Sequence, residues 1–546
     1  MKKIYLIMTL FVSLITGGCS DYLNINDDPN NPIDVDHTTL IPTVQLYGTY
    51  ALCAAEGLGE HLDVYTHQVS TREEANRYGV TGAGYYLERG WRRMYVTCLS
   101  NLELALQKAE KLNDTFSIGV LKVMKAHYYS QMVDVFGDIP FSEAGKTAEG
   151  IMYPKYDSGK DIYPQLFALL DEGIALLSQD GVAGGPYDLI YGGKANLWVK
   201  AAKTLKLKLY NQVRLVQDVK SEVQALLAKP EELIASTDES FMFQFGKSQS
   251  PDERHPGYPD SYAATQITNH ISPWFFEIMK GINPVFSGVE DPRIPYYFYN
   301  QVAPNKPSKQ KCEYRVGGFI SLYFGSNGDR RDLARDEDVT VMGIYPVGGH
   351  FDEGVGGVVK NNGGTGVAPY RYLTYADRLF IEAELINAGL ATGDEKAVFM
   401  QGVEESFNMV DWVVKKSGTS QTVPALKGNV ESYLNSIQFI FEQAGSAEKR
   451  LEYIMTQKWI QSFGNSVDQY TDYRRTGYPI MFDPKTTPEV TPPAGGDPTE
   501  ELPTVPVSCS LNYPASLPYV AAELAVNLNA PEQKNDLGNR KVFWDK

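Results

Sequence analysis

Cysteine is scarce, with five in 546 residues at positions 19, 53, 98, 312 and 509. Spacing that wide makes no disulfide framework, and a chain of this length does not need one. No Cys-x-x-Cys occurs, which removes the common zinc and dithiol redox sites. Histidine is nearly as rare, at seven. No His-Glu-x-x-His is present, and His61 and His67 are too isolated to name a metal site. Positive charge is short as well: 50 Lys and Arg stand against 67 Asp and Glu, a net charge of −17. Without a basic cluster there is no localised positive surface to hold phosphates, so a nucleic-acid role is excluded. Long apolar runs are missing too. The one sustained run, residues 4–15, is shorter than the 17–25 or so residues a membrane helix needs.

Catalytic signatures are also absent. Gly145-Lys146-Thr147 has the form of a phosphate-loop tail, but the glycine required five residues earlier is Pro140. No Gly-x-Ser-x-Gly elbow occurs. Asp329, Asp332, Asp336 and Asp338 miss the alternating ligands and central glycine of a calcium loop. They read as a solvated turn, with a structural calcium ion as the alternative. Carboxylates are numerous, but nothing pairs any two of them as a glycosidase acid and nucleophile.

The N-terminus carries the clearest local signal. Lys2 and Lys3 precede the apolar run, and Thr16-Gly17-Gly18-Cys19 closes it with small residues. That is a secretory signal ending on a cysteine. It resembles the lipobox of a bacterial lipoprotein, in which residues 1–18 are removed and Cys19 is acylated. The Asp- and Asn-rich stretch to Pro32 then reads as a tether, residues 19–39. Acylation at Cys19 would place the mature chain outside the cytoplasm, held to a membrane by lipid alone.

Beyond the tether, helical periodicity dominates. Helices are expected over residues 40–68, 85–112, 117–135, 161–178 and 194–216. A polar, glycine-bearing loop separates the first two, at 71–84. Gly137 and Pro140 end the third. Cys53 and Cys98 fall in these patterns and read as small buried hydrophobes. From 245 to 369 the periodicity fails, while aromatics cluster at Trp274-Phe275-Phe276 and Tyr296-Tyr297-Phe298-Tyr299. Loops of that length are functional or disordered, and the aromatic content argues against disorder. Helices resume at 372–386, 395–414, 430–444 and 447–463, and the Pro/Thr/Glu-rich stretch 483–506 reads as an exposed loop. The expected fold is mainly α, built of tetratricopeptide-like helix pairs with a large irregular insertion on the ligand side.

Several motifs, in order along the chain, resemble the SusD/RagB-like outer-membrane lipoproteins of Bacteroidetes. They are Cys19 followed by Asn26-Asp27-Asp28-Pro29-Asn30-Asn31-Pro32; Asp134-Val135-Phe136-Gly137-Asp138-Ile139-Pro140; and Tyr191-Gly192-Gly193-Lys194 running on to Trp198. The stretch from Leu373 to Glu384, Ile454 to Trp459, and Tyr473-Arg474-Arg475-Thr476-Gly477-Tyr478-Pro479 complete the set. The resemblance implies one SusD-like domain over 40–546. Its helical scaffold would occupy 40–244 and 370–465, its irregular region 245–369 and its C-terminal region 466–546. It also implies a surface-facing, non-catalytic role: capturing oligosaccharide, or in some members peptide, and passing it to a SusC-type TonB-dependent transporter. The less favoured alternative is a surface glycoside hydrolase.

Sugar recognition needs flat aromatic faces beside a few donors and acceptors. Two sets qualify. In the resembled family the loop before the Trp91 helix borders the ligand site, which here offers Arg72, Arg77, Tyr78, Tyr85 and Tyr86. The irregular region offers Asn269, His270, Trp274 and Phe275. Trp91 itself lies on a helix stripe and reads as core. Arg474 and Arg475, following a helix, read as structural ion-pair partners.

Overall fold

A computed structural model describes residues 35–334, 336–359 and 363–545. The signal, Cys19 and most of the tether lie outside that set. The chain is mainly helical, and its helices stack as antiparallel neighbours. His37–Leu52, Ser100–Leu112, Thr115–Phe136, Gly159–Leu177 and Ala195–Val213 form the first block. Tyr375–Asn387, Glu395–Ser417, Glu431–Glu442 and Ala447–Gln461 form the second.

Local chemistry fixes the helix ends. Asp114 caps Thr115–Phe136 by accepting from the Ser117 amide at 3.1 Å, and Gly137, at φ 82°, releases the chain. Tyr375–Asn387 starts on a reciprocal capping box between Thr374 and Asp377. Two glycines let the long helices approach. A Cβ on Gly119 would stand 2.5 Å from Leu177, and one on Gly173 would stand 2.9 Å from Val123. Buried apolar side chains from Leu40 to Trp544 join both blocks in one continuous core.

The insertion leaves this scaffold through a clasp. Phe241–Gln244 pairs antiparallel with Pro369–Leu373, Gln244 opposite Pro369 and Phe241 opposite Leu373. Its two ends are therefore held side by side. Between them the chain is less irregular than its sequence suggests. It contains the Pro273–Lys280 helix, the Tyr314–Val316/Phe319–Ser321 hairpin, and a small core of its own around Tyr258, Tyr262, Val302 and Ile320.

Four boundaries differ from the sequence reading. The helix expected over 40–68 is broken after Leu52 and restarts as Gly59–Tyr65. At the break the Leu58 amide donates to the Ala51 carbonyl at 2.9 Å, an approach only Gly57 permits. The helix expected over 85–112 is continuous, but turns π-helical at Arg93–Leu99. Tyr372 belongs to the strand of the clasp rather than to the helix after it, with its ring 4.6 Å from Phe241. Ser466–Thr476 is a helix that apolar periodicity hid, because Asp468, Asp472 and Arg475 are buried beside Val467 and Tyr470.

Candidate functional site

A short ladder organises the candidate residues. Val69–Thr71 pairs antiparallel with Asn269–Ile271, placing Thr71 opposite Asn269 and Val69 opposite Ile271. The hairpin is sewn to it by two hydroxyls. Ser70 Oγ donates to the Leu322 carbonyl at 2.7 Å, and Ser321 Oγ donates to the Ile271 carbonyl at 2.5 Å. The Ser272 amide donates to the Gln68 carbonyl at 3.0 Å, so the Pro273–Lys280 helix begins at the end of the ladder.

That helix start forms one wall of a cleft of about 380 Å³, within the range usual for small-ligand pockets. Trp274 stands on this wall. Its indole nitrogen donates to the Ile480 carbonyl at 3.1 Å, and its ring lies 5.9 Å from Phe482 at 43°. Tyr323 and Phe324 form the base, and residues 481–491 the opposite wall. Three lining residues are acidic, Glu277, Asp483 and Glu489, and none is Lys or Arg. Burial pushes the Glu277 carboxyl up to about 7.

The other predicted residues are distributed around this cleft and the ladder. Phe275 is fully buried, its ring 4.9 Å from both Trp459 and Phe463, so it belongs to the core and shows no face to solvent. Tyr78 is buried against Phe324 at 4.9 Å and hydrogen-bonded to His67 Nε2 at 2.9 Å; it backs the cleft without lining it. His270 is buried with both ring nitrogens unpartnered, and burial pulls its pKa down to about 3, so it sits neutral within the fold. Arg72 donates to the Ala334 carbonyl at 3.1 Å and Arg77 to the Ser326 carbonyl at 3.2 Å; both brace the hairpin side.

Asn269, Tyr85 and Tyr86 belong to a separate neighbourhood. Asn269 Nδ2 donates to Glu60 Oε1 at 2.5 Å, and burial together with the Asp260 charge raises Glu60 to about 7. The same two carboxylates add to the burial that raises the Tyr86 phenol to about 12. Tyr85 is 66% exposed, with the Arg89 guanidinium 5.5 Å from its ring centre. Only Trp274 of the nine predicted residues lines the cleft. Phe482, Asp483 and Glu489 are the wall the sequence reading missed. The available signal was one aromatic, Phe482, at the mouth of an otherwise Pro/Thr/Glu-rich stretch.

Away from the cleft, Trp91 packs in the core, 5.1 Å from Phe136. Arg475 is fully buried against Glu384, and Arg474 Nη1 donates to the Ala515 carbonyl at 2.7 Å. Cys53, Cys98, Cys312 and Cys509 are free and buried. In the acidic run, Asp336 accepts from the Ile267 amide at 3.0 Å and Asp338 from the Lys309 amide at 2.8 Å. Among the described residues no cluster of three or more His, Cys, Asp or Glu side chains could hold a metal ion. None of the described helices is long and apolar enough to cross a membrane.

The fold matches solved SusD homologues over nearly its whole length. A SusD homologue from Bacteroides fragilis aligns at TM-score 0.65 and 18% identity, covering 94% of this chain and 100% of its own. A SusD/RagB family protein from Bacteroides thetaiotaomicron gives 0.66 and 17%, covering 94% and 99%. A chitin-binding SusD homologue from Flavobacterium johnsoniae gives 0.61 and 20%, covering 93% and 97%. No curated relative matches the sequence. The profile of a SusD-like family described as starch-binding, associating with outer membrane, matches residues 29–494. The chain belongs to this SusD-like family, a family of outer-membrane-associated binding proteins.

Proposed function

We propose that this protein is a surface-exposed lipoprotein, anchored through Cys19. Its single domain, residues 40–546, binds oligosaccharide in the Trp274 cleft and passes it to a SusC-type TonB-dependent transporter. The observation that carries the reading is the cleft itself. Trp274 presents a partly exposed indole whose only polar atom is already engaged by Ile480. The remaining face is flat, apolar and held in one orientation, which suits stacking on a sugar ring. Carboxylates on the opposite wall can accept hydrogen bonds from sugar hydroxyls. The family description and the chitin-binding relative support a glycan over other nutrients. The role proposed is capture without turnover.

The test is a glycan and peptide array probed with the purified protein, followed by titration of the best ligand against Trp274→Ala. The expected result is glycan binding that weakens by at least about tenfold in the variant, as for aromatic anchors generally, with an unchanged melting temperature. Hydrolysis of the bound glycan, or peptide binding with no glycan binding, would refute the reading.

A further inference from the structure

The charge lining the cleft is one-sided. Several carboxylates elsewhere stand beside cations. Asp291 meets Arg293, Asp468 meets Lys208, Asp472 meets Lys458, and Glu500 meets Arg330. In the cleft Glu277, Asp483 and Glu489 face the same space, and among the described residues none of them forms a salt bridge with a Lys or Arg. The nearby cations are turned elsewhere. Lys485, two residues from Asp483, directs its ammonium to Asn512 Oδ1 at 2.6 Å. Lys280, on the same helix as Glu277, pairs with Glu290 at 2.6 Å. Arg77 holds the Ser326 carbonyl and the Asn327 side chain.

Asp483 and Glu489, with Glu277 as a third carboxyl that burial leaves partly protonated at neutral pH, focus a negative potential into an aromatic-walled recess with low-dielectric sides. Such a recess repels a carboxylated or sulfated glycan and attracts a cationic one. An ammonium group can also lie against the indole and Phe482 faces, where the ring quadrupoles favour positive charge. A neutral sugar keeps the stacking but leaves the charge uncompensated.

Resting on the cleft being the ligand site, we infer that it is selective for glycans bearing free, protonated amino groups, and that it excludes acidic glycans. Stacking on Trp274 supplies affinity for any sugar ring; the three carboxylates decide which ring.

The test uses the full-length lipoprotein in detergent and β-1,4-linked hexamers of glucose, glucosamine and a uronic acid, titrated calorimetrically at low and high salt. Glucosamine hexamer should bind about tenfold or more tighter than glucose hexamer, and the uronate hexamer weakest, with the spread shrinking as salt screens it. The variant Glu277→Gln/Asp483→Asn/Glu489→Gln should bring the three affinities together, with a larger loss for the glucosamine hexamer than for the glucose hexamer. Asp483→Asn/Glu489→Gln, both at exposed positions, should do so in part and covers misfolding of the triple variant. If Trp274→Ala abolishes glucose binding but glucosamine binds no better than glucose, or the uronate binds best, charge selection is wrong and the cleft stands as the site. If Trp274→Ala leaves every affinity unchanged, the cleft is not the site and both readings fall.

Discussion

Glu384 joins three helices at one buried point, and replacing it tests whether the two helical blocks act as one scaffold. Its carboxylate is fully buried and receives both terminal nitrogens of Arg475, with Nη2 3.0 Å from Oε2. Arg214 reaches Oε1 at 2.9 Å, and Asn211 donates to Oε2 at 2.8 Å. Arg475 lies on Ser466–Thr476, Arg214 caps the Ala195–Val213 helix, and Glu384 sits on Tyr375–Asn387. Glu384→Gln keeps the volume and removes the charge. Arg214 and Arg475 are then left with Asp472, which already serves Lys458 at 2.6 Å. Breaking a buried pair by removing one partner costs about 3–5 kcal/mol, because the other charge stays buried uncompensated. In urea the midpoint should fall by roughly 1 M or more, given slopes of a few kcal/mol/M. The assay is equilibrium unfolding followed by far-ultraviolet circular dichroism. Glu442→Gln, which breaks the exposed Lys396–Glu442 pair, serves as a control expected to be nearly silent. A loss below about 1 kcal/mol for Glu384→Gln would refute the claim that this cluster holds the blocks together.

Two further perturbations follow from buried polar groups. Glu60, raised from 4.5 to about 7, keeps its proton longer folded than unfolded, so it favours folding below about pH 4.5 and that contribution is lost as pH rises to 7. Relative to the wild type, Glu60→Gln should therefore gain up to about 3 kcal/mol between those limits; a stability difference that does not change with pH would contradict the shift. His61 is pulled down to about 4 and His67, His127, His255 and His270 to about 3, so these groups lose stability in the opposite direction, as pH falls below 6.5. Trp544 is fully buried and donates to Asp134 Oδ1 at 2.8 Å. Trp544→Ala should cost about 3–5 kcal/mol and Trp544→Phe less, about 1–3, since it loses the hydrogen bond and part of the buried ring volume. Thermal melts showing both variants equal to the wild type would mean the C-terminus is not part of the core.

How much could be read from the sequence depended on how locally each feature is encoded. Helices such as Thr115–Phe136 and Glu395–Ser417 advertise themselves by caps and apolar spacing within the element, and their existence and limits were legible to within a few residues. Ser466–Thr476 was not, because its inward face is charged and is stabilised by Glu384, Lys458 and Lys208 from other helices. The break after Leu52 depends on one close backbone approach at Gly57, which leaves no mark on hydropathy. Phe275 and His270 are close to Trp274 in sequence but not in exposure. On a helix or strand, neighbours point to different faces, and here that separates one exposed ring from buried ones.

The cleft was the least legible feature because no single segment contains it. Its walls come from residues 272–277, 323–324 and 481–491. They meet because Thr71 pairs with Asn269, Ser321 reaches Ile271, and Trp274 reaches Ile480. Each is a long-range contact that composition and periodicity cannot register. What the sequence did contain was the charge balance, −17 over the chain, and the structure shows that this excess is not spread evenly. Some buried carboxylates are paired at close range with Arg or Lys, as Asp291, Glu384 and Asp468 are, and others, such as Glu60 and Asp134, are held by neutral donors. Those lining the cleft are left without an Arg or Lys partner among the described residues. Acidic side chains that share a recess with no cation leave charge that an external cationic partner can complete. The local imbalance in the cleft, three acidic residues with no Lys or Arg among the lining residues, points to a cationic ligand more directly than the net charge does.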